Sequence, residues 1–137
     1  KSLDDEIKIV RVRVEQLGKA LEIPAVEPPL EEVRKLITIF RELRAGSTED
    51  GRMKLKSPSS TLSTAEAVSV LNSGQALAAH FGDGTLKVED LAAGITGAIV
   101  KDPVQDEKVW REYLETVMKG REDWQELYEA CRGFLKS

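Results

Sequence analysis

One cysteine and one histidine, Cys131 and His80, are all that 137 residues offer of the side chains that most often build zinc sites and nucleophile–base pairs. A zinc site draws three or four ligands from such residues, so no metal site and no catalytic residue is expected. A lone cysteine permits no internal disulfide and suits a reducing compartment, which points to the cytoplasm. Aromatics make up only 5%, so Leu, Val, Ile and Ala must build the core. No apolar run approaches the ~18 residues of a membrane-spanning helix, and Lys1-Ser2-Leu3-Asp4-Asp5 is no signal peptide, so no membrane partner is expected. The missing initiator Met fits an excised piece of a longer chain, although a processed protein would look the same. Basic excess is absent too: a net charge of −4 and a pI near 5.2 argue against a nucleic-acid partner. The phosphate-binding pattern G-x-x-x-x-G-K-[ST] occurs nowhere, so the chain alone cannot be an ATPase of that type. Neither a repeat nor a low-complexity tract is found.

What remains is helical periodicity. Ser2 caps a first helix whose opening turn carries Asp4, Asp5 and Glu6, placing negative charge at the positive end of the helix dipole. Ile7, Val10, Val14, Leu17 and Leu21 fall on one stripe. Val10 to Val14 also alternates like a strand, but the acidic first turn and the longer period favour helix. Ile23-Pro24 through Pro28 reads as an extended connector, because each proline biases its predecessor away from the helical region. Pro29 at the first helical position, then Glu31 and Glu32, opens a second helix with Leu30, Val33, Ile37, Phe40 and Leu43 inward, and Gly46 stops it.

Residues 46–62 form the longest irregular stretch. Arg52-Met53-Lys54-Leu55-Lys56 alternates basic and apolar side chains, with Asp50-Gly51 as turn chemistry, so a small β arm is expected. On an extended arm Arg52, Lys54 and Lys56 would line one face toward an anion, although a solvated loop edge has the same composition. Ser63-x-x-Glu66 is a capping box for a third helix beginning at Thr64. Val68, Leu71, Leu77, Ala78 and Phe81 give it apolar mass, Ala67, Gly74 and Ala78 permit close helix approach, and Gly82 and Gly84 end it. A fourth helix spans about Val88 to Val100, with Leu91, Ile95, Ala98 and Ile99 inward, and Asp102-Pro103 breaks the chain. The fifth carries Val109, Trp110, Tyr113, Leu114 and Val117. The sixth carries Trp124, Leu127, Tyr128, Cys131, Phe134 and Leu135, and these two should be antiparallel neighbours. The expected fold is all-α, a bundle of five or six helices with one small β arm.

Individual polar residues add little. His80 in the last turn of the third helix is a capping or packing histidine, and Cys131 on an apolar stripe is a buried, inert thiol. The acidic runs Asp4-Asp5-Glu6, Glu31-Glu32 and Asp106-Glu107 are explained by helix dipoles. Gly82-Asp83-Gly84 lacks the preceding strand and the lysine of a phosphate cradle, so it reads as a helix stop.

The stretch Leu62–Lys101, LSTAEAVSVLNSGQALAAHFGDGTLKVEDLAAGITGAIVK, joins a capped helix, a glycine-rich turn, a short Leu-Lys-Val segment and a helix opening on Glu89-Asp90. That layout resembles the C-terminal helical lid of MoxR-type AAA+ ATPases. The flanks TIFRELRAG, LKSPSSTLSTAEA and VKDPVQDEKVWREYLETV look similar to a MoxR-like subgroup found alongside von Willebrand factor A-type proteins. The resemblance implies a parent chain with an α/β nucleotide-binding core, residues 1–28 as a helix and connector leading from it, and residues 29–137 as the lid. It implies ATP and Mg in the parent, none bound by this chain alone, and chaperone-like remodelling or cofactor insertion. The implied partners are the parent's own core, neighbouring subunits of a ring and a von Willebrand factor A-type protein. Ser63-Thr64-Ala65 falls where the family has Ser-Pro-Arg, so Ala65 replaces the arginine that reaches the γ-phosphate. Lys54, Lys56, Ser63, Thr64 and Glu66 are then the expected nucleotide-side residues. The alternative is a free-standing helical module that binds a protein through a helix face or the 46–62 arm, without nucleotide.

Overall fold

Six α-helices build the computed structural model, which describes residues 2–23, 28–81 and 84–135. They are α1 (Leu3–Ala20), α2 (Leu30–Ala45), α3 (Thr64–Phe81), α4 (Val88–Ile99), α5 (Gln105–Thr116) and α6 (Gln125–Arg132). Two short 3₁₀ turns, Met118–Gly120 and Glu122–Trp124, join α5 to α6. The all-α expectation holds. The Pro24–Glu27 part of the expected connector and the Gly82-Asp83 part of the expected turn lie outside the described residues.

Local chemistry sets the helix ends. The Asp5 N–H donates to Ser2 Oγ at 3.1 Å, so Ser2 caps α1 as expected. Pro29 has extended geometry (φ −55°, ψ 134°) and precedes α2 instead of opening it, which moves the predicted start by one residue. Gly46 closes α2 in the left-handed conformation at φ 75°, a region that side chains with a Cβ disfavour. The Gly84 N–H turns back to the Ala78 carbonyl at the end of α3.

α3 is the central helix, packed on α1 and on α4, while α2 lies against α1 and α3. α6 lies mainly on α4 and touches α5 less extensively than the sequence led one to expect. A small residue allows the close α3–α4 crossing, since a Cβ on Gly94 would stand 2.9 Å from Val70 Cγ1. Gly74 of α3 leaves room for Leu86 of the segment before α4, whose Cδ1 a Cβ there would run into. Val10, Leu36, Ile37, Phe40, Leu71, Leu91, Ile95, Trp110, Tyr113 and Leu127 belong to one apolar core, with α1 contributing to it. The Trp110 and Tyr113 rings stack at 5.6 Å between centroids.

Several expected core positions lie outside it. Leu17, Leu21, Leu30, Leu77, Phe81 and Phe134 are exposed, Phe81 by 83%. All lie near helix ends, where no described element covers them. The expected β arm is also reduced: among the described residues no strand forms, and the arm closes through one antiparallel bridge, Ser47 to Lys54. Two inward hydrogen bonds, Thr48 N–H to Met53 C=O at 3.0 Å and Leu55 N–H to Gly46 C=O at 2.8 Å, hold it. The Asp50-Gly51 turn and Pro58 leave it no length for a ladder. Among the described residues, no helix is long and apolar enough to cross a membrane.

Candidate functional site

The five residues singled out in the sequence fall on the connection between α2 and α3 or in the first turn of α3. Ser63 and Glu66 form the expected reciprocal cap: the Glu66 N–H donates to Ser63 Oγ at 3.2 Å and the Ser63 N–H to Glu66 Oε1 at 3.4 Å. The Thr61 hydroxyl adds a bond to Glu66 Oε1 at 2.7 Å. These two side chains are therefore engaged in starting α3. Thr64 is the first residue of that helix and is half-buried, and Ala65 beside it presents only an exposed methyl.

Lys54 and Lys56 stand apart from this cap. Both are exposed on the arm, and neither makes an ion pair among the described residues. Arg52 is exposed and loosely paired with Asp50 at 3.8 Å. Leu55 between the two lysines packs on the core, so the basic-apolar alternation does sort its cations outward. Asp50 orders the turn: it accepts from the Thr48 hydroxyl at 2.6 Å and from the Arg52 N–H at 3.0 Å. The Thr48 hydroxyl, then the Arg52 N–H, holds its carboxyl below the ordinary value.

Three buried carboxylates hold the loop that carries these residues, and none was singled out by the sequence. Glu42 on α2 has a fully buried side chain. Arg121 donates to both its oxygens, at 2.8 and 2.6 Å, and the Tyr113 hydroxyl donates to Oε1 at 2.6 Å. The Glu49 N–H, on the loop, donates to the other oxygen at 2.9 Å. Burial would lower the Arg121 pKa, but the Glu42 carboxylate beside it outweighs this and raises it. Burial, reinforced by Glu42, pushes the Tyr113 phenol well above its ordinary range. Arg121 also lies 4.4 Å over the Trp124 ring.

Glu6 is the second. Arg44 donates to it through Nη2 at 2.9 and 3.1 Å, and Arg41 through Nη1 at 3.0 Å. Arg44 also donates to the Leu62 carbonyl at 3.0 Å, and Arg41 pairs with Glu49. Two bonds therefore run from this pair of arginines onto the loop. Leu62, next to the cap, is fully buried and has φ 50°, a left-handed backbone that a branched side chain rarely adopts.

Asp106 is the third and is completely buried. It accepts from the Ser59 N–H at 2.8 Å and its hydroxyl at 2.6 Å, and from the Lys101 and Asp102 N–H groups at 3.0 and 2.8 Å. Burial opposes its charge, but the Ser59 hydroxyl and these N–H groups win and draw its pKa down to about 2. The helix-dipole account of the acidic runs is thus incomplete for Glu6 and Asp106. Both sit in first turns, yet each is buried and bonded to distant partners.

Other candidates offer less. His80 lies exposed in the last turn of α3, its ring 6.4 Å from that of Phe81. Cys131 is buried, and burial pushes its thiol up to about 12 against a weak pull from Thr96. Among the described residues no three His, Cys, Asp or Glu side chains gather as metal ligands. A cavity of about 150 Å³ lies between Pro29, Glu32, Leu86, Lys87, Val88, Leu91 and Glu126. That is well below the ~300 Å³ at which ligand sites usually begin. A nucleotide would not fit there, whereas the loop end offers a face that could touch an anion from one side.

Residues 4–135 match the family described as the YehL-like AAA+ ATPase C-terminal domain. No curated protein and no solved structure matches the chain.

Proposed function

This chain belongs to the YehL-like AAA+ ATPase C-terminal domain family, and we propose on that footing that it is the mechanical half of a nucleotide-driven machine. The parent's α/β core would bind ATP and Mg and carry out hydrolysis. This chain would contact the bound nucleotide from one side and move as a unit between nucleotide states. The observation that carries the reading is the pinning of residues 46–63 by Glu6, Glu42 and Asp106 at one end of the bundle. A loop held in this way transmits a displacement to the whole bundle, because packed cores move as bodies and deform little.

Within this reading Lys54 and Lys56 are the groups suited to phosphate. They are cationic, exposed and on the pinned loop, whereas Ala65 has no charge to give and Ser63 and Glu66 are occupied by each other. Thr64, at the first position of α3, would stand beside the nucleotide. The MoxR-like layout of Leu62–Lys101 supports a ring-forming, chaperone-like parent, whose partners would be its own core, neighbouring subunits and a von Willebrand factor A-type protein.

Two measurements test the proposal. The isolated chain should show no ATP hydrolysis, and sustained turnover by pure material would overturn the division of labour. In the full-length ATPase, Lys54→Ala combined with Lys56→Ala should weaken ATP binding and slow turnover severalfold. Unchanged affinity and rate would remove the phosphate contact from these lysines.

A further inference from the structure

The arm has an open side that its cations flank. In the Ser47–Lys54 pair the inward hydrogen bonds belong to the neighbouring residues, Thr48 to Met53 and Leu55 to Gly46. In antiparallel geometry that arrangement turns the N–H and C=O of Lys54 outward, away from the partner segment. Among the described residues neither group has a hydrogen-bond partner, and the same is true of the Lys56 backbone. The exposed edge ends at Pro58, which has no N–H to offer.

We propose that this edge docks an extended acidic segment of a protein partner, which pairs with the outward N–H and C=O of Lys54 as an added strand. Pairing at Lys54 fixes the register. A partner residue directly opposite Lys54 has its side chain beside the Lys54 ammonium. Residues two positions away lie diagonally beside Arg52 and Lys56. Acidic residues at alternate positions therefore meet all three cations, while the residues between them face the side of Met53 and Leu55, where apolar character fits. Lysines on an edge repel basic strands and lose hydration without compensation against uncharged ones, so the cations that discourage aggregation also select the acidic partner. The anchoring of the arm favours docking as well: Asp50, Ser57 and Leu55 already hold the receiving edge in place, with the Ser57 hydroxyl bonded to the Leu43 carbonyl at 2.6 Å. Little ordering of the receiving edge is left to oppose binding.

The inference uses the same lysines as the nucleotide reading but rests on the outward backbone groups of Lys54, and its test contains no ATP. A fluorescently labelled peptide of alternating glutamate and valine is titrated into the 137-residue chain and followed by anisotropy. Saturable binding is expected. Methylating the peptide's alternate amide nitrogens on the side that faces Lys54 should weaken it about tenfold, the value of roughly one net hydrogen bond or a little more. Lys54→Glu should weaken it by at least as much, and because this side chain is exposed the thermal midpoint should not move. Equal binding of the methylated peptide would show charge attraction alone and would overturn strand addition. Absence of saturable binding, or full binding by Lys54→Glu, would overturn the docking site itself.

Discussion

Arg121 grips Glu42 through both terminal guanidinium nitrogens across 79 positions of sequence, joining the turn after α5 to the heart of α2. The carboxylate also accepts from Tyr113 and from the loop at Glu49, so one anion ties three parts of the chain together.

Removing the cation should therefore be worse than removing the pair. Arg121→Met leaves a buried carboxylate without its counter-charge and should destabilise the chain by about 3 kcal/mol. Arg121→Met with Glu42→Leu should recover much of that loss, because two apolar side chains no longer need one another. Chemical denaturation of the two variants checks the order. A double variant no more stable than Arg121→Met would show that Glu42 serves mainly through its other bonds.

Acid should loosen the loop through Asp106. Its folded pKa, about 2, lies below the ordinary carboxyl value of 3.8, so the stabilisation it gives is complete above the unfolded value. That stabilisation declines as pH falls from about 4 toward 2. Asp106→Asn places an amide NH₂ among donors and should cost about 1–3 kcal/mol at neutral pH. It should also flatten this part of the acid limb. Denaturant midpoints measured across the window, wild type against Asp106→Asn, decide the matter.

Alkali should act through Tyr113. Its phenol is raised above 10.0 in the folded chain, so its contribution is intact below the ordinary value and is lost as pH climbs beyond it. Tyr113→Phe should reduce that alkaline sensitivity. An unchanged alkaline transition would assign it to other groups.

Cys131 should resist alkylation at pH 8. A buried thiol held near 12 presents almost no thiolate, so iodoacetamide labelling should follow the rate of global unfolding. Rapid labelling of the native chain would contradict the burial.

The α3–α4 crossing makes a paired prediction. Gly94→Ala adds a methyl that Val70 must clear, and overpacking of this kind costs ~1–3 kcal/mol against a helix-propensity gain of ~1 kcal/mol. Net destabilisation of about 1 kcal/mol follows from those values. Val70→Ala introduced alongside should cost less than Val70→Ala alone, because the new methyl fills part of the space. Additive costs in a double-mutant cycle would show that the two positions do not touch.

The helices were legible because their cause is local. Ser2, the Ser63–Glu66 box and Gly46 act within a few residues, and stripes such as Val33, Ile37 and Phe40 repeat along one face. The buried carboxylates were not legible, since their partners lie far away: Glu6 meets Arg44 38 positions on, and Asp106 meets Ser59 47 positions back. Leu77 and Phe81 looked like core because periodicity registers side-chain type and cannot tell whether a neighbour arrives to cover it. At the candidate site the sequence found the cap and the outward lysines. It overstated the strand, since alternation names a face but not the number of bridges that form.

Leu62 combines a left-handed backbone with a wholly buried side chain. Glycine would relax the backbone by about 1 kcal/mol but would give up about 2 kcal/mol or more of burial. The heading of α3 is therefore set where two demands on one residue oppose each other, and the core prevails. Any pull on this end of α3 therefore works first against the burial of Leu62, which opposes the relaxation its backbone would otherwise gain.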